Sequence, residues 1–119
     1  MSEKAKVCSV STTVLLGISP RKILAFSDIA PQAPHHILII PKGPYVSADH
    51  FAREASEAEI VDFWRTFGQI AETTGTAPDE GNGYRIISNA GLDGVQEVPH
   101  FHMHLLAGKP LGRMLSPGI

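Results

Sequence analysis

Imidazoles alternate with apolar side chains in the segment His100-Phe101-His102-Met103-His104-Leu105-Leu106. Successive side chains of a β-strand point to opposite faces of a sheet. The pattern therefore predicts a strand with its three histidines on one face and Phe101, Met103 and Leu105 on the other. Pro99 is expected to open this strand, since proline is tolerated at a first strand position, and Gly108 ends it.

The rest of the chain predicts more strands and one long helix. Apolar runs at residues 23–26 and 37–40 flank a turn that contains two prolines, and we interpret residues 84–88 as a third strand. Ser56 and Glu59 make a capping box. Apolar residues then recur at helical spacing: Ile60, Phe63, Trp64, Phe67, Ile70 and Ala71. We expect this helix face to pack onto the sheet, which gives an α+β fold with an antiparallel sheet and one main helix.

The composition limits the class of protein. The chain has 119 residues, the size of one domain. Ten basic and twelve acidic side chains leave a net charge of -2, too balanced for the basic surface of a nucleic-acid-binding protein. Its single cysteine cannot form an internal disulfide, so we expect a cytoplasmic location. The apolar runs are far shorter than the roughly 20 residues of a membrane-spanning helix, and we interpret residues 7–18 as a β-prone segment rather than a signal peptide.

Three histidines in strict alternation indicate a functional site, and two kinds of chemistry use such a row. Neutral imidazoles ligate Zn²⁺, although this row has no companion carboxylate or cysteine close by in the sequence. Alternatively, one imidazole attacks phosphorus while its neighbours orient it or donate protons. The loop with Asn89, Gly91 and Gly94 favours the second chemistry, because a glycine-containing turn aims backbone amides at an anion.

Residues 100–106 match the pattern His-x-His-x-His, followed by two apolar residues, of the histidine triad (HIT) family of nucleotide hydrolases and transferases. The chain resembles the Hint-like branch of this family, the purine nucleoside phosphoramidases. The other matching positions are Leu24, Ala25, Phe26, Asp28, Ile29, Pro31, Gln32, Ala33, Pro34, residues 36–42, Tyr84, Arg85, Asn89 and Gln96. We expect residues 23–115 to form a HIT-like domain and residues 1–22 an atypical N-terminal segment.

The resemblance implies catalytic roles for four histidines. His102 would be the nucleophile, and His104 would contact the phosphoryl oxygens or the leaving group. His100 and His36 would complete the site and hold the reactive ring. No metal ion or cofactor is implied.

The resemblance also implies the groups that bind the nucleotide. Asp28 would bind the ribose, and the base pocket would be walled by Phe26, Ile29 and Leu38. The phosphate contacts would come from Asn89 and from the backbone of Val95 and Glu97. Val95 stands where the family usually has glycine, so its amide is expected to face phosphate only if its backbone is not left-handed.

The implied activity is hydrolysis of the P–N bond of purine nucleoside phosphoramidates, or of a related AMP conjugate, through a nucleotidyl-histidine. The implied partners are a purine nucleoside monophosphate, or its amide or ester conjugate, and a second copy of the chain. The homodimer would extend the sheet or pair the helices that carry Phe63, Trp64 and Phe67. Two alternatives stay open: a zinc-binding protein that uses the histidine row, and a nucleotide-binding interaction module whose hydrolysis is vestigial.

Overall fold

The structure is a computed structural model that describes residues 15–18 and 23–116. These residues form one antiparallel sheet of five strands, together with two helices. In chain order the elements are β1 (Leu15–Ile18), β2 (Ile23–Ser27), β3 (His35–Pro41), α1 (Ala48–Glu54), α2 (Glu57–Thr73), β4 (Tyr84–Ile87) and β5 (Met103–Ala107). The α+β class and the antiparallel sheet predicted from the sequence are confirmed.

The strand that carries His104 lies inside the sheet. The strand order is β1-β2-β3-β5-β4, and all neighbouring pairs are antiparallel. In this register Leu38 of β3 and Ile87 of β4 lie directly opposite His104, one on each side. β5 is therefore held on both sides by the backbone hydrogen bonds of the sheet.

β5 is shorter than predicted, because it begins at Met103 and not at Pro99. Ile39 pairs with Met103, so the pair after Ile40 and His102 in this register would join Pro41 to Phe101 by hydrogen bonds. The nitrogen of Pro41 carries no hydrogen and cannot extend the ladder. The N–H of Phe101 donates instead to the carbonyl of Tyr45, at 2.7 Å.

One face of the sheet packs against the helices and forms the main hydrophobic core. Its buried members are Ile23, Ala25, Ile37, Ile39, Phe51, Phe63, Ile70, Ala71, Phe101, Met103, Leu105 and Ala107. The ring of Phe63 lies 5.3 Å from that of Phe51 and 5.2 Å from that of Phe101. The predicted division of faces is therefore confirmed for Phe101, Met103 and Leu105, which anchor the histidine stretch to the helices.

α2 begins where the sequence predicts. The N–H of Glu59 donates to Ser56 Oγ at 3.1 Å, and the N–H of Ser56 donates to Glu59 Oε1 at 2.9 Å, which completes the capping box. The Tyr45 hydroxyl also donates to Glu59, at 2.9 Å. The hydrogen bond from the Ser56 amide is the main cause that lowers the pKa of Glu59, and the hydrogen bond to Glu59 is the main cause that raises the pKa of Tyr45. The start of α2 is thus tied to the segment that follows β3.

Two features of the helices differ from the sequence prediction. Trp64 was expected on the packing face of α2 but is 49% exposed. The buried face extends to Thr66 on its other side, so Trp64 falls at the margin. The sequence did not predict α1, because a helix of seven residues with one buried side chain, Phe51, shows no apolar period.

The N-terminal segment is described in part. Residues 15–18 form β1, which pairs with β2 and lies within the run interpreted as β-prone. The other positions of residues 1–22 lie outside the described residues. Among residues 15–18 and 23–116, neither helix has the length and hydropathy needed to span a bilayer.

Candidate active site

His36, His102 and His104 lie at the face of the sheet that is turned away from the helices. His36 of β3 and His104 of β5 both belong to this face, since Leu38 pairs with His104 and His36 pairs with Leu106. The rings of His102 and His104 have their centroids 5.0 Å apart, and those of His36 and His104 are 5.1 Å apart. The structure therefore brings together three of the four histidines predicted for the site, around His104.

The His102 ring is oriented by a backbone carbonyl. His102 Nδ1 lies 2.8 Å from the carbonyl oxygen of His100. A carbonyl only accepts, so Nδ1 carries the hydrogen, and in the neutral ring the lone pair is on Nε2. His102 is 9% exposed, which limits the rotation of its ring. This is the tautomer that an Nε2 nucleophile requires.

The His100 side chain helps to fix the backbone carbonyl that orients His102. Its own Nε2 donates to the carbonyl oxygen of Pro41, at 2.7 Å. The side chain thereby fixes the backbone whose carbonyl orients His102. His100 thus orients the His102 ring through its backbone, and the catalytic roles of both residues stay predictions.

The tautomer of His104 is set through His36. The backbone N–H of Gln32 donates to His36 Nδ1 at 3.0 Å, so His36, when neutral, carries its hydrogen on Nε2. His36 Nε2 lies 2.9 Å from His104 Nδ1 and donates to it. A neutral His104 then carries its hydrogen on Nε2. His104 is therefore arranged as an N–H donor beside the His102 ring.

Asp28 lies beside this pair of rings. Its Oδ1 accepts from the N–H of Ala30 at 2.9 Å, and its Oδ2 is 3.5 Å from His36 Nε2. Asp28 is 9% exposed. One atom each from Asp28, His36 and His104 lie within 4.8 Å of one another, a group that could hold a metal ion. The fold thus brings to the histidine row a carboxylate that the sequence does not place near it.

The predicted base wall is partly assembled. Phe26 pairs with Leu38 across β2 and β3, and Leu38 pairs with His104, so the three form one row on the histidine face. Phe26, Leu38 and Ile40 make a small buried apolar cluster there. Ile29 lies in the loop after β2 and is 55% exposed. The roles of Phe26, Leu38 and Ile29 in base binding stay predictions.

The residues predicted to contact phosphate belong to the 89–98 loop (residues 89–98), which precedes the histidine stretch. Asn89 Nδ2 donates to the carbonyl of Gly94 at 2.6 Å. Val95 has a φ of 57°, and its N–H donates to the carbonyl of Leu92 at 3.1 Å. Because the backbone of Val95 is left-handed, the condition for its amide to face phosphate is not met. Glu97 is exposed, and the phosphate contacts of its amide and of Asn89 stay predictions.

Sequence reasoning missed the groups that orient the histidines. They are the amide of Gln32 and the carbonyls of His100 and Pro41. These are backbone groups, so no residue type at these positions signals their function. His35 precedes His36 on β3 and therefore faces away from the site, where it lines a separate cavity of about 520 Å³ with Thr76, Asn82 and Lys109.

Comparison with known proteins agrees with the fold and identifies the family. The model of the HIT domain family matches residues 12–111. The purine nucleoside phosphoramidase of Escherichia coli (strain K12) is 46% identical over 94 residues, which cover 79% of this chain and 76% of that protein.

Two solved structures have the same architecture. The structure of a histidine triad protein from Clostridium difficile has a TM-score of 0.74 at 35% identity and covers 92% of this chain and 95% of its own. The HIT family hydrolase from Legionella pneumophila has a TM-score of 0.73 at 32% identity and covers 89% and 94%. The fold and the histidine row are those of a hydrolase-like α+β protein. The chain belongs to the HIT domain family, as its sequence resemblance indicated.

Proposed function

We propose that this protein is a nucleoside phosphoramidase, which hydrolyses the P–N bond of a purine nucleoside phosphoramidate or a related AMP conjugate. The observation that carries the proposal is the hydrogen bond from His102 Nδ1 to the His100 carbonyl. This hydrogen bond leaves the lone pair of the neutral ring on Nε2. The E. coli relative named purine nucleoside phosphoramidase supports the choice of substrate class. Such a reaction needs an uncharged imidazole aimed at phosphorus.

In the first step His102 Nε2 attacks phosphorus. The P–N bond to the amine breaks as a bond between phosphorus and Nε2 forms, and the amine leaves with a proton. The hydrogen bonds from Gln32 through His36 make His104 a neutral donor, so its role in this scheme is to stabilise negative charge on a phosphoryl oxygen. The proton for the departing amine then comes from water.

In the second step water attacks the nucleotidyl-His102, breaks the bond between phosphorus and Nε2, and releases the nucleoside monophosphate. His102 returns to its neutral form and its starting tautomer, because the His100 carbonyl still accepts from Nδ1. Neither step uses a metal ion or a cofactor.

We also propose which groups bind the nucleotide. Phe26 and Leu38 wall the base pocket, with Ile29 at its open side, and Asp28 binds the ribose hydroxyls. Asn89 and the amide of Glu97 contact the phosphate. In this structure the Asp28 carboxylate lies 3.5 Å from His36 Nε2, so ribose binding and the orientation of His36 share one side chain.

We propose that the protein is a cytoplasmic homodimer. Trp64 is 49% exposed on α2, next to Phe67 with ring centroids 5.6 Å apart, and Val61 is 52% exposed on the same helix. β4 forms one edge of the described sheet, and its Ile86 and Ile87 are each 37% exposed. A second copy of the chain packed here would cover both apolar helix surface and a strand edge.

The test is to mix the protein with an AMP-amine conjugate, quench the reaction within milliseconds and locate the adduct by mass spectrometry. We expect a nucleotidyl group on His102 and production of AMP and free amine. An adduct on another residue, or hydrolysis with no covalent intermediate, would contradict the mechanism. Absence of turnover would favour a nucleotide-binding module without catalysis.

A second candidate is zinc binding, which the proximity of Asp28, His36 and His104 favours. Carboxylate oxygen and imidazole nitrogen are common zinc ligands. Metal analysis of the purified protein and kinetics after EDTA treatment separate the two candidates. One zinc per chain, with activity that vanishes in EDTA and returns with Zn²⁺, would favour this second candidate.

A further inference from the structure

Gln96 lies between Val95 and Glu97 in the 89–98 loop, next to the residues proposed to bind phosphate. Gln96 matches the family, but the resemblance assigns it no role. We propose that Gln96 is a positioning residue, which fixes the shape of this loop and its distance from the histidine row. The inference rests on the phosphoramidase function proposed above, because the group that the loop would receive is the phosphate of the nucleotide.

Gln96 first closes the loop on itself. Its backbone N–H donates to the carbonyl of Gly91 at 3.0 Å, and its side-chain Oε1 accepts from the N–H of Gly91 at 3.2 Å. Within the turn so closed, the N–H of Val95 donates to Leu92. The backbone and the side chain of Gln96 thus hold both polar backbone groups of Gly91.

Gln96 also fixes the closed loop to the rest of the protein. Its Nε2 donates to the carbonyl of Val46 at 2.6 Å and to the carbonyl of Val98 at 3.0 Å. The residue before Val46 is Tyr45, whose carbonyl accepts from Phe101. One short segment after β3 therefore contacts both the 89–98 loop and the histidine stretch, and Gln96 makes the first of these contacts.

The chemistry of these contacts matches an amide side chain. Glutamine offers two N–H donors and one carbonyl acceptor. Here both kinds of group are used, toward two carbonyls and one N–H. A carboxylate at this position would keep the acceptor but place oxygen against two carbonyl oxygens. An apolar side chain of similar size would keep none of the contacts.

The backbone of the loop needs such support. Val95 has a φ of 57°, a left-handed conformation that β-branched residues rarely adopt. Conformations of this kind persist only when surrounding contacts hold them. Gln96 follows Val95 directly. The hydrogen bonds of the Gln96 side chain to Gly91, Val46 and Val98 hold the end of the turn that contains Val95.

The experiment compares two variants of Gln96 with a matched control. Gln96→Met keeps the size of the side chain and removes its three hydrogen bonds, while Gln96→Glu keeps only the acceptor. Gln69→Met is the control, because Gln69 is exposed on α2, on the helix side of the sheet. For each protein we would measure affinity for AMP and for adenosine by calorimetry, kcat and KM for an AMP-amine conjugate, and the melting temperature.

We expect Gln96→Met and Gln96→Glu to lower AMP affinity and kcat/KM by about tenfold to a hundredfold, because small displacements of positioning groups have effects of this size. Adenosine affinity should stay within a factor of two of wild type, about the precision of the assay, since adenosine has no phosphate for the loop to contact. Gln69→Met should behave as wild type. The ratio of AMP to adenosine affinity is the readout that a general loss of stability would not change.

Equal losses of AMP and adenosine affinity in Gln96→Met would overturn the inference, and so would a Gln96→Glu protein with wild-type kinetics. If wild type hydrolyses the conjugate and Gln96→Met does so equally well, the inference fails and the proposed function stands. If wild type neither binds AMP nor hydrolyses the conjugate, the proposed function fails and this inference fails with it.

Discussion

The hydrogen bond between His36 and His104 allows a direct test of the proposed site. His36→Phe would keep an aromatic ring on β3 and remove both ring nitrogens. His104 Nδ1 would then lose the donor that lies 2.9 Å away. Both side chains are at least nine-tenths buried, with His36 4% and His104 9% exposed. Water is therefore a poor replacement for the lost donor.

The size of the effect follows from this burial. Removing one partner of a buried hydrogen bond costs about 1 to 3 kcal/mol. If that loss falls on the orientation of His104 in the transition state, kcat decreases by about 5-fold to 150-fold. KM should change little, because Phe26 and Leu38 remain in place to contact the base.

The assay is steady-state hydrolysis of an AMP-amine conjugate, with His35→Phe as the matched control. His35 is the neighbouring residue of β3, so its side chain lies on the opposite face of the sheet. We expect His35→Phe to retain wild-type kcat. A wild-type kcat for His36→Phe, or equal losses in the two variants, would refute the reasoning from the hydrogen-bonded rings.

Three further predictions concern separate parts of the molecule. His102→Ala should abolish turnover and retain AMP binding by calorimetry; measurable turnover would exclude His102 as the nucleophile. The folded chain lowers the pKa of Glu59, so its ionised form stabilises the fold above the ordinary carboxyl pKa, and this stabilisation is lost as the pH falls through the lowered value. The melting temperature of Glu59→Gln should therefore lie below that of wild type at neutral pH and converge with it in acid; a constant difference would contradict this. Trp64→Glu should shift the mass in light scattering to the 12.8 kDa monomer, and a wild-type protein that is already a monomer would rule out the proposed dimer.

Periodic patterns in the sequence predicted much of the fold, because they report which side chains share a face. The alternation around His102 assigned Phe101 and Met103 to the helix side, and the core confirms it. Ser56 with Glu59 located the start of α2, since a capping box is a local arrangement of neighbouring residues.

The orientation of the histidine rings could not be predicted from the sequence. It depends on the N–H of Gln32, which any residue except proline would supply, and on the carbonyls of His100 and Pro41, which any residue would supply. The first residue of β5 was predicted wrongly for a related reason. Pro41 stops the ladder from the partner strand, and this effect requires knowledge of the register between β3 and β5.

The end of the β3–β5 ladder has a consequence for motion during catalysis. His104 lies within β5 and is paired on both sides, whereas His102 lies one residue before β5 begins. A nucleophile must approach phosphorus by more than an ångström, from a contact of roughly 3 to 3.5 Å to a covalent bond. His102 can make this approach without breaking a hydrogen bond between strands, while His104 stays in place within the hydrogen-bonded sheet. In the proposed mechanism, the residue that moves and the residue that stays in place are thus only two positions apart in the chain, with the start of β5 between them.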